Sequence, residues 1–467
     1  MTLTVADIVE AIGGRLLSGD GTAVLSGVSI DTRTLRAGDL YIAIRGDRLD
    51  GHDFVNAAFA GGAAGAVISQ PMGTLAPAAV CGRALIVVPD TTGALQRLAR
   101  WVRRKSGARV VAITGSAGKT TTKDMTAAFL GLRYRVMQSS GNLNNHIGLP
   151  LSLLELRHGA EVAVVELGMN HPGEISRLVQ IAEPDVRVWT NVAEVHLEFF
   201  GSIEAIADAK AELFEGATAT TILVANADDS QVMARAPKFL GQVVTFGTTA
   251  GSTVTASNVE DLGIDGMAAR VATDAGTVRL EVPLLGRGNL QNVLASVAVA
   301  RQFGVPLDAM AERARTLRAA AHRCDVMRLG GGVVVVDDAY NSNPRAVQGA
   351  LAVVAGERRF ARRVAVLGEM LELGAQALTL HEACGRAAAA SGLSLLVTVG
   401  GESARRLGRA AEQAGMPEST VIHADSSGEA AEIAATAVHP GDLVLVKGSR
   451  GIKTERVVER LVSAFPA

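Results

Sequence analysis

The stretch Ile113-Thr114-Gly115-Ser116-Ala117-Gly118-Lys119-Thr120-Thr121-Thr122-Lys123 carries the sharpest chemical signal in the chain. Glycines let a backbone wrap closely around an anion and aim N–H groups at its oxygens. A helix starting at Lys119 would add the positive end of its dipole. Lys119 is then placed to bridge the β- and γ-phosphates of a nucleotide, and the Thr120 hydroxyl to hold Mg²⁺. The form is G-x-x-G-K-T, with Ile113 where the common G-x-x-x-x-G-K-T spacing has its first glycine. A glycine-rich turn with an incidental lysine is the plainer alternative. The apolar run before the turn and the threonines after it count against that. The loop implies nucleotide binding and does not by itself name a reaction.

Three more groups can do metal or charge chemistry. Glu166 ends the apolar run Val162-Ala163-Val164-Val165. His196 follows Asn191-Val192-Ala193-Glu194-Val195. Lys210 lies on a helix expected to open after Ser202, with Glu204 in its first turn. Sites in parallel sheets collect at the carboxyl ends of strands, so Glu166 and His196 can converge on the phosphate loop. A carboxylate and an imidazole are a sensible partial ligand set for Mg²⁺ or Mn²⁺. Each residue alone also has an ordinary reading: a solvated strand end, a satisfied histidine, a helix-face cation. Lysine is scarce, at seven positions, and five of them (Lys119, Lys123, Lys210, Lys447, Lys453) fall in or beside motifs. Lysine differs from arginine in having a removable proton.

Strand–loop–helix alternation must position these groups. The first hundred residues read as short strands and helices: Ala23–Ile30, Gly38–Ile44, a helical Asp53–Gly61, Gly65–Ile68, a loop at Gln70–Gly82 and a helix Thr91–Lys105. A buried strand Arg109–Thr114 precedes the phosphate loop, and apolar strands follow at Val162–Glu166, Val186–Asn191, Thr221–Ala225 and Val243–Phe246. Thr253–Val271 and Thr277–Val282 read as an antiparallel ribbon turned at Asp274-Ala275-Gly276, closed by a helix Asn289–Phe303. From about residue 320 the alternation restarts, with strands at Val333–Asp337, Arg363–Leu367, Leu395–Val399 and Leu443–Lys447. The reading is α/β with three domains: residues 1–107 small and mixed, 108–319 a P-loop-type parallel-sheet domain, and 320–467 Rossmann-like.

Composition sets bounds. The chain has 467 residues, a formal net charge of −2, and 20% charged residues. That balance points away from a nucleic-acid partner. Cys81, Cys324 and Cys384 are too scattered for a zinc cluster or a disulfide framework. The start carries Asp7 and Glu10 and does not read as a signal peptide, and no apolar run reaches membrane-spanning length. A cytoplasmic, monomeric protein is expected.

The ordered motifs resemble the Mur ligase family over nearly the whole chain. They are Thr114–Lys123; Gly141-Asn142-Leu143-Asn144-Asn145-His146-Ile147-Gly148-Leu149-Pro150; Glu166-Leu167-Gly168-Met169-Asn170; Asn191 to Gly201; and Ala209-Lys210-Ala211-Glu212. Three more follow: Asp337-Asp338-Ala339-Tyr340-Asn341-Ser342-Asn343-Pro344, Leu367 to Gly374, and Lys447-Gly448-Ser449-Arg450-Gly451. At the other end, Ser29-Ile30-Asp31-Thr32-Arg33, Gly46 and Asp50-Gly51-His52-Asp53-Phe54 resemble the family's UDP-sugar-binding domain.

The resemblance implies an ATP-dependent ligase that joins a carboxylate to an amine through an acyl-phosphate. The C-terminal motifs resemble those of members that add D-Ala-D-Ala to a UDP-muramoyl tripeptide. It implies that Thr114, Gly115, Ser116, Ala117, Gly118, Lys119, Thr120 and Thr121 hold ATP. Asn289 and Asn292 would approach adenine, Asp338 the ribose, and Arg323 the γ-phosphate. Two Mg²⁺ ions would be held by Thr120, Glu166, His196 and a carbamylated Lys210. Ser29, Asp31, Arg33, Gly46, Asn144 and Asn145 would touch the UDP-muramoyl peptide, and Tyr340, Asn341 and Asn343 the dipeptide. Lys119, Lys210, His196 and Arg323 carry the catalytic expectation. Two departures stand out: Gly288 where the family often has histidine, and His322 where glycine usually precedes the arginine. Ligases for other amino acids, a muropeptide-recycling ligase, a folylpolyglutamate synthase, and a nucleotide-dependent regulatory or scaffold protein that binds UDP-sugars without joining anything are the rival readings.

Overall fold

Apolar runs build the strands Arg109–Thr114, Val162–Glu166, Val186–Trp189, Val334–Asp338 and Leu443–Lys447, four to six residues each. The structure is a computed structural model and describes residues 1–69, 82–195 and 197–466. Residues 70–81 of the expected loop, with Cys81, and His196 lie outside the described residues.

The chain divides into two units. The first takes residues 1–112, 133–169 and 173–186. Its five-stranded sheet runs Arg15–Ser18, Ala84–Val87, Gly65–Ile68, Leu40–Ile42, Val28–Ser29. The Arg15–Ser18 edge is antiparallel and the other three pairings are parallel. The single strand expected over Ala23–Ile30 is instead two pairs of residues, Val24–Leu25 and Val28–Ser29. Gly27 separates them: a Cβ there would lie 2.4 Å from Asp39 Oδ1. Helix Thr91–Ser106 is capped by Asp90, which accepts from the Thr92 and Gly93 amides, and it buries Ala94, Leu95, Leu98, Ala99 and Val102 along one face. In the same unit the order Arg109–Ala112, Val162–Glu166, Val136–Gln138 holds, the last two being parallel.

The second unit takes residues 113–132, 170–172 and the chain from Arg187 onward. Its middle portion orders strands from Val186–Trp189 through Ile222–Asn226, Gln242–Gly247, Val254–Asp261 and Met267–Thr273 to Gly276–Val282. Gln242–Gly247 is parallel to both of its neighbours, and the last two pairings are antiparallel. The expected ribbon is therefore three strands. Its first run folds back at Gly263–Asp265, where Gly263 (φ 64) and Gly266 (φ 119) take conformations that side chains resist. Helix Gly286–Gln302 starts three residues before the expected Asn289, and a further helix, Leu307–Ala314, follows it. Small buried residues on Gly286–Gln302 (Ala295, Ser296, Ala298) let it pack against helix Lys119–Leu130.

A second sheet in this unit runs Asp325–Arg328, Val334–Asp338, Leu443–Lys447, Arg363–Gly368, Leu395–Val399, Val421–Ala424. Four pairings are parallel, with Asp325–Arg328 an antiparallel edge. The edge strands Asp325–Arg328 and Val421–Ala424 escape the sequence reading because half-buried edges lack a continuous apolar run. Valines and leucines of the central strands fill both faces. Asp338, Gly368 and Lys447 end three adjacent strands, which gathers their loops at one edge.

Candidate active site

Strand Arg109–Thr114 ends in buried Thr114, and the chain then turns through two glycines. Gly115 has φ 151 and Gly118 φ 80. A Cβ on Gly115 would fall 1.9 Å from Thr190 Oγ1, and one on Gly118 would fall 2.2 Å from Asn292 Oδ1. A side chain at either position would have to push Thr190 or Asn292 aside. Gly118 sits at the N-cap of helix Lys119–Leu130 without a side-chain cap, the arrangement that suits an anion at a helix start. The neighbouring segment walls the loop. The Ala117 amide donates to Asn191 Oδ1 (2.9 Å), while Asn191 Nδ2 and Thr190 Oγ1 donate to the Ala117 carbonyl (3.1 and 2.7 Å). The Ala193 amide donates to Ser116 Oγ at 2.9 Å. Lys119 Nζ folds back to the Gly115 carbonyl at 2.9 Å.

Behind the loop, Thr122 Oγ1 donates to Asn292 Oδ1 (3.2 Å) and Asn292 Nδ2 to Asn289 Oδ1 (3.2 Å). Asn289 Nδ2 also reaches the Leu285 carbonyl at 2.9 Å. The two asparagines therefore belong to the wiring of the phosphate-loop helix. Gly288 lies in the first turn of the same helix with open space around its Cα.

Helix Ile203–Ala211 begins at Ser202, whose hydroxyl accepts from the Ala205 amide at 3.2 Å, as the sequence predicts. It buries Lys210 to 3% exposure. Burial strips the ammonium of water and Lys119 repels it, so its pKa falls well below the ordinary lysine value. A neutral amine is a nucleophile; an ammonium is not.

Arg323 is set by its neighbours. His322 (φ 61) and Cys324 (φ 55) both hold left-handed conformations that cost a non-glycine residue energy. His322 Nδ1 lies 2.7 Å from Asp337 Oδ2, the Cys324 amide donates to Asp338 Oδ1 (3.2 Å), and the Tyr340 amide donates to the His322 carbonyl (3.0 Å). The Arg323 guanidinium stacks 4.0 Å from the centre of the Tyr340 ring. Burial raises the Asp337 pKa against the opposing pull of His322. Asp338 is tied to buried Lys447, whose Nζ donates to Asp338 Oδ2 (2.6 Å) and to the Asn341 carbonyl (2.9 Å). Asn343 caps helix Pro344–Gly356 through the Ala346 amide at 2.9 Å, and the Asn341 carboxamide oxygen accepts from the Ser342 amide. Below them, His381 Nε2 accepts from the Met370 amide (2.8 Å). Ser449 Oγ accepts from the Leu371 amide (3.0 Å).

The first unit holds the other predicted contacts. A cavity of about 370 Å³ is lined by Ser29, Asp31, Thr34, Gln138, Ser140 and Leu143, among others. Ser29 Oγ donates to the Asp31 carbonyl (3.0 Å). The Arg33 guanidinium on Asp31 lowers that carboxyl to about 2. The Gly46 amide closes a turn onto the Leu49 carbonyl (2.9 Å). Buried Glu166 accepts from Asn144 Nδ2 at 2.8 Å. Asn145 Oδ1 accepts from the Ile147 and Gly148 amides, so its oxygen shapes its own loop.

The sequence reading gives Asp229 and His381 no role and names Asp337 only as part of a motif. For Asp229 a signal existed: an Asp-Ser step before a short helix marks an N-cap, and Asp229 accepts from the Gln231 and Val232 amides. Asp337 meets His322 across 15 positions and His381 meets the Met370 amide across 11, through loop geometry that no helical or strand periodicity announces. Among the described residues no helix is long and apolar enough to cross a membrane, and no three His, Cys, Asp or Glu side chains form a metal cluster.

Three family models match the chain. Residues 24–103 match "Mur ligase family, catalytic domain", residues 113–300 "Mur ligase middle domain", and residues 322–450 "Mur ligase, glutamate ligase domain". The UDP-N-acetylmuramoyl-tripeptide--D-alanyl-D-alanine ligase of Bacillus subtilis is 33% identical over 465 residues, spanning 99% of this chain and 98% of that one. The Escherichia coli protein of the same name is 37% identical over 406 residues, 86% and 87% of the two chains. In structure, MurF from Acinetobacter baumannii superposes with a TM-score of 0.88 at 28% identity over 99% of both chains. MurF from Thermotoga maritima in complex with ADP superposes with a TM-score of 0.81 at 29% identity, covering 94% and 97%. With three consecutive α/β regions matched in order and full-length relatives above 30% identity, the chain belongs to the Mur ligase family.

Proposed function

We propose that this protein ligates D-Ala-D-Ala to a UDP-N-acetylmuramoyl tripeptide at the expense of ATP, forming the pentapeptide of cytoplasmic peptidoglycan synthesis with ADP and phosphate. One observation carries the reading. Ligases so named match the chain from end to end, and it keeps a built phosphate loop with a buried Lys210 beside Lys119. The proposed division of labour gives residues 1–107 the UDP-muramoyl peptide, 108–319 the ATP, and 320–467 the dipeptide.

The tripeptide's terminal carboxylate attacks the γ-phosphorus of ATP, the bond to the β-phosphate oxygen breaks, and ADP departs from an acyl-phosphate. The free amine of D-Ala-D-Ala then attacks the acyl carbon and loses a proton as phosphate leaves. Protein groups align these reactants and offset charge. The loop amides and Lys119 hold the phosphates, and Arg323, poised on Tyr340, offsets charge on the transferred group. Mg²⁺, when bound, neutralises the phosphoryl oxygens. Thr120, Glu166, His196 and Lys210 would hold two such ions. A hard cation needs oxygen donors, which a lysine lacks until it becomes a carbamate. The buried, easily deprotonated Lys210 fits that conversion, because CO₂ is captured by a neutral amine. Closure of the C-terminal region through a hinge near residues 316–323 would exclude water from the acyl-phosphate.

The test is incubation with ATP, Mg²⁺, UDP-muramoyl tripeptide and D-Ala-D-Ala, with mass spectrometry of the products. Pentapeptide formed only with D-Ala-D-Ala is expected. Product with another amine and not with this one would overturn the dipeptide assignment.

A further inference from the structure

The wall of the phosphate loop is itself held from the C-terminal sheet region. Arg345, in the first turn of helix Pro344–Gly356, donates from Nη1 to the Val192 carbonyl at 3.2 Å. The same guanidinium stands 3.6 Å from Asp229 Oδ2, a carboxylate 5% exposed. That oxygen accepts the Val192 amide at 2.9 Å. The Val192 residue is thus gripped on both sides, its N–H by Asp229 and its carbonyl by Arg345. Asn191, one residue earlier, brackets both polar atoms of Ala117. Ala193, one residue later, exchanges two hydrogen bonds with Ser116. A rigid peptide plane leaves little slack between these groups. At the far end of the segment the Glu198 amide donates to the Glu372 carbonyl at 3.4 Å, and Gly374 backs it so closely that a Cβ would lie 3.1 Å from Glu198 Cα. The C-terminal region therefore touches this wall at two places.

We propose that Arg345 is a positioning residue for phosphoryl transfer, carrying the placement of the C-terminal region through Val192 onto Ser116 and Ala117 of the phosphate loop. The proposal rests on the ligase reading above. It makes the loop's alignment depend on the docked C-terminal helix: ATP can bind to the loop alone, but the γ-phosphate is aligned for attack only when Arg345 holds Val192. The Arg345 side chain is 57% exposed and lines a polar cleft of about 500 Å³, so removing it opens no core.

The test compares wild type with Arg345→Ala and Arg345→Lys. Ligation is read by product formation, ADP affinity by calorimetry, and the phosphoryl step by scrambling of ¹⁸O in ATP with UDP-muramoyl tripeptide present and D-Ala-D-Ala absent. Arg345→Ala is expected to lower kcat at least tenfold and scrambling by a similar factor. Its ADP affinity should stay within twofold and its KM for D-Ala-D-Ala should not change. Arg345→Lys, which keeps the charge beside Asp229, should recover part of both rates. Wild-type kcat in Arg345→Ala overturns the proposal. So does a loss confined to the KM for D-Ala-D-Ala, or a loss of ADP affinity as large as the loss of rate. A wild-type protein inactive in both scrambling and ligation overturns the ligase reading and this proposal together, whereas an active wild type matched by Arg345→Ala overturns this one alone.

Discussion

The phosphate loop and the loop cluster at the edge of the C-terminal sheet are built on opposite principles. The first is held by neutral groups: Ser116, Ala117, Thr190, Asn191 and Ala193 exchange backbone and hydroxyl or amide hydrogen bonds around two glycines. The second is held by ionisable side chains, most of them buried: Lys447 on Asp338, half-buried His322 on Asp337, His381 on the Met370 amide. A site that must wrap phosphate closely leaves no room for side chains, so its precision comes from backbone. A site that must present Arg323 and Tyr340 at the ends of strands needs long side chains to tie separate loops together. The loop's own backbone packing should therefore fail to an added methyl group, whereas the C-terminal cluster should fail to a lost charge or a change of pH.

The largest effects belong to the two lysines that the proposed chemistry uses directly. Lys119→Met and Lys210→Arg should each lower kcat by a factor on the order of 10²–10³, the scale for removing a charge-stabilising group from an active site. Lys119→Met should leave the thermal midpoint of the protein nearly unchanged, whereas Lys210→Arg, which puts a larger and permanently charged group into a buried site, should lower it. Lys210→Arg is the sharper of the two, since a guanidinium does not become the neutral amine that captures CO₂. A carbamate signal in the ¹³C spectrum of wild type, supplied with labelled bicarbonate and missing from Lys210→Arg, would tie the loss to that chemistry. Full activity in Lys210→Arg would exclude the carbamate.

Next in size is Lys447→Met. Both Lys447 and Asp338 are largely buried, at 2% and 14% side-chain exposure. Removing one partner of such a pair strands the other charge, which costs about 3–5 kcal/mol where both are fully enclosed and less here because Asp338 keeps some water. The Asn341 carbonyl loses its donor as well. Urea denaturation should show the destabilisation, and the KM for D-Ala-D-Ala should rise more than the KM for ATP. Gly118→Ala follows, at about 1–3 kcal/mol for a strained φ with a steric clash. Its Cβ must displace the Asn292 carboxamide, so ADP affinity should fall about tenfold. Unchanged ADP binding in Gly118→Ala would mean the loop relaxes more freely than its wiring implies.

The same contrast governs what could be read from the sequence. The phosphate loop was legible because its parts are contiguous: strand Arg109–Thr114, the glycines and helix Lys119–Leu130 appear with the bounds their pattern implies. The ribbon at Val254–Val282 was legible only in part, because Gly263 and Gly266 break a run whose apolar spacing continues across the break. The ties that hold the charged cluster together were not legible. Asp337 finds His322, and Lys447 finds Asp338 across 109 positions, only once the sheet order is known. Family resemblance supplied Arg323, Asp338 and Tyr340 as functional positions, but not the ties that hold them.

The smallest effect separates the two designs most cleanly, because it is read as a slope in pH. His381 is fully buried, with Nδ1 2.7 Å from the Ala377 carbonyl and Nε2 accepting the Met370 amide. Burial lowers its pKa below the ordinary 6.5, so the folded protein holds the neutral ring. Protonation would set an N–H against the Met370 N–H. Below pH 6.5 the unfolded chain binds a proton that the folded chain refuses, so stability falls as pH drops until the folded pKa is reached. His381→Gln keeps an acceptor for the Met370 amide and removes the titration. At pH 7.5 the variant should be less stable by about 1 kcal/mol, the worth of one imperfectly replaced hydrogen bond. Between pH 7.5 and 5.5 that gap should narrow, because only the wild type pays the proton penalty. The corresponding gap for Gly118→Ala, set by sterics among neutral groups, should hold steady over the same range. A His381→Gln gap that is equally flat would place His381 with the backbone-held loop and remove its part of the contrast.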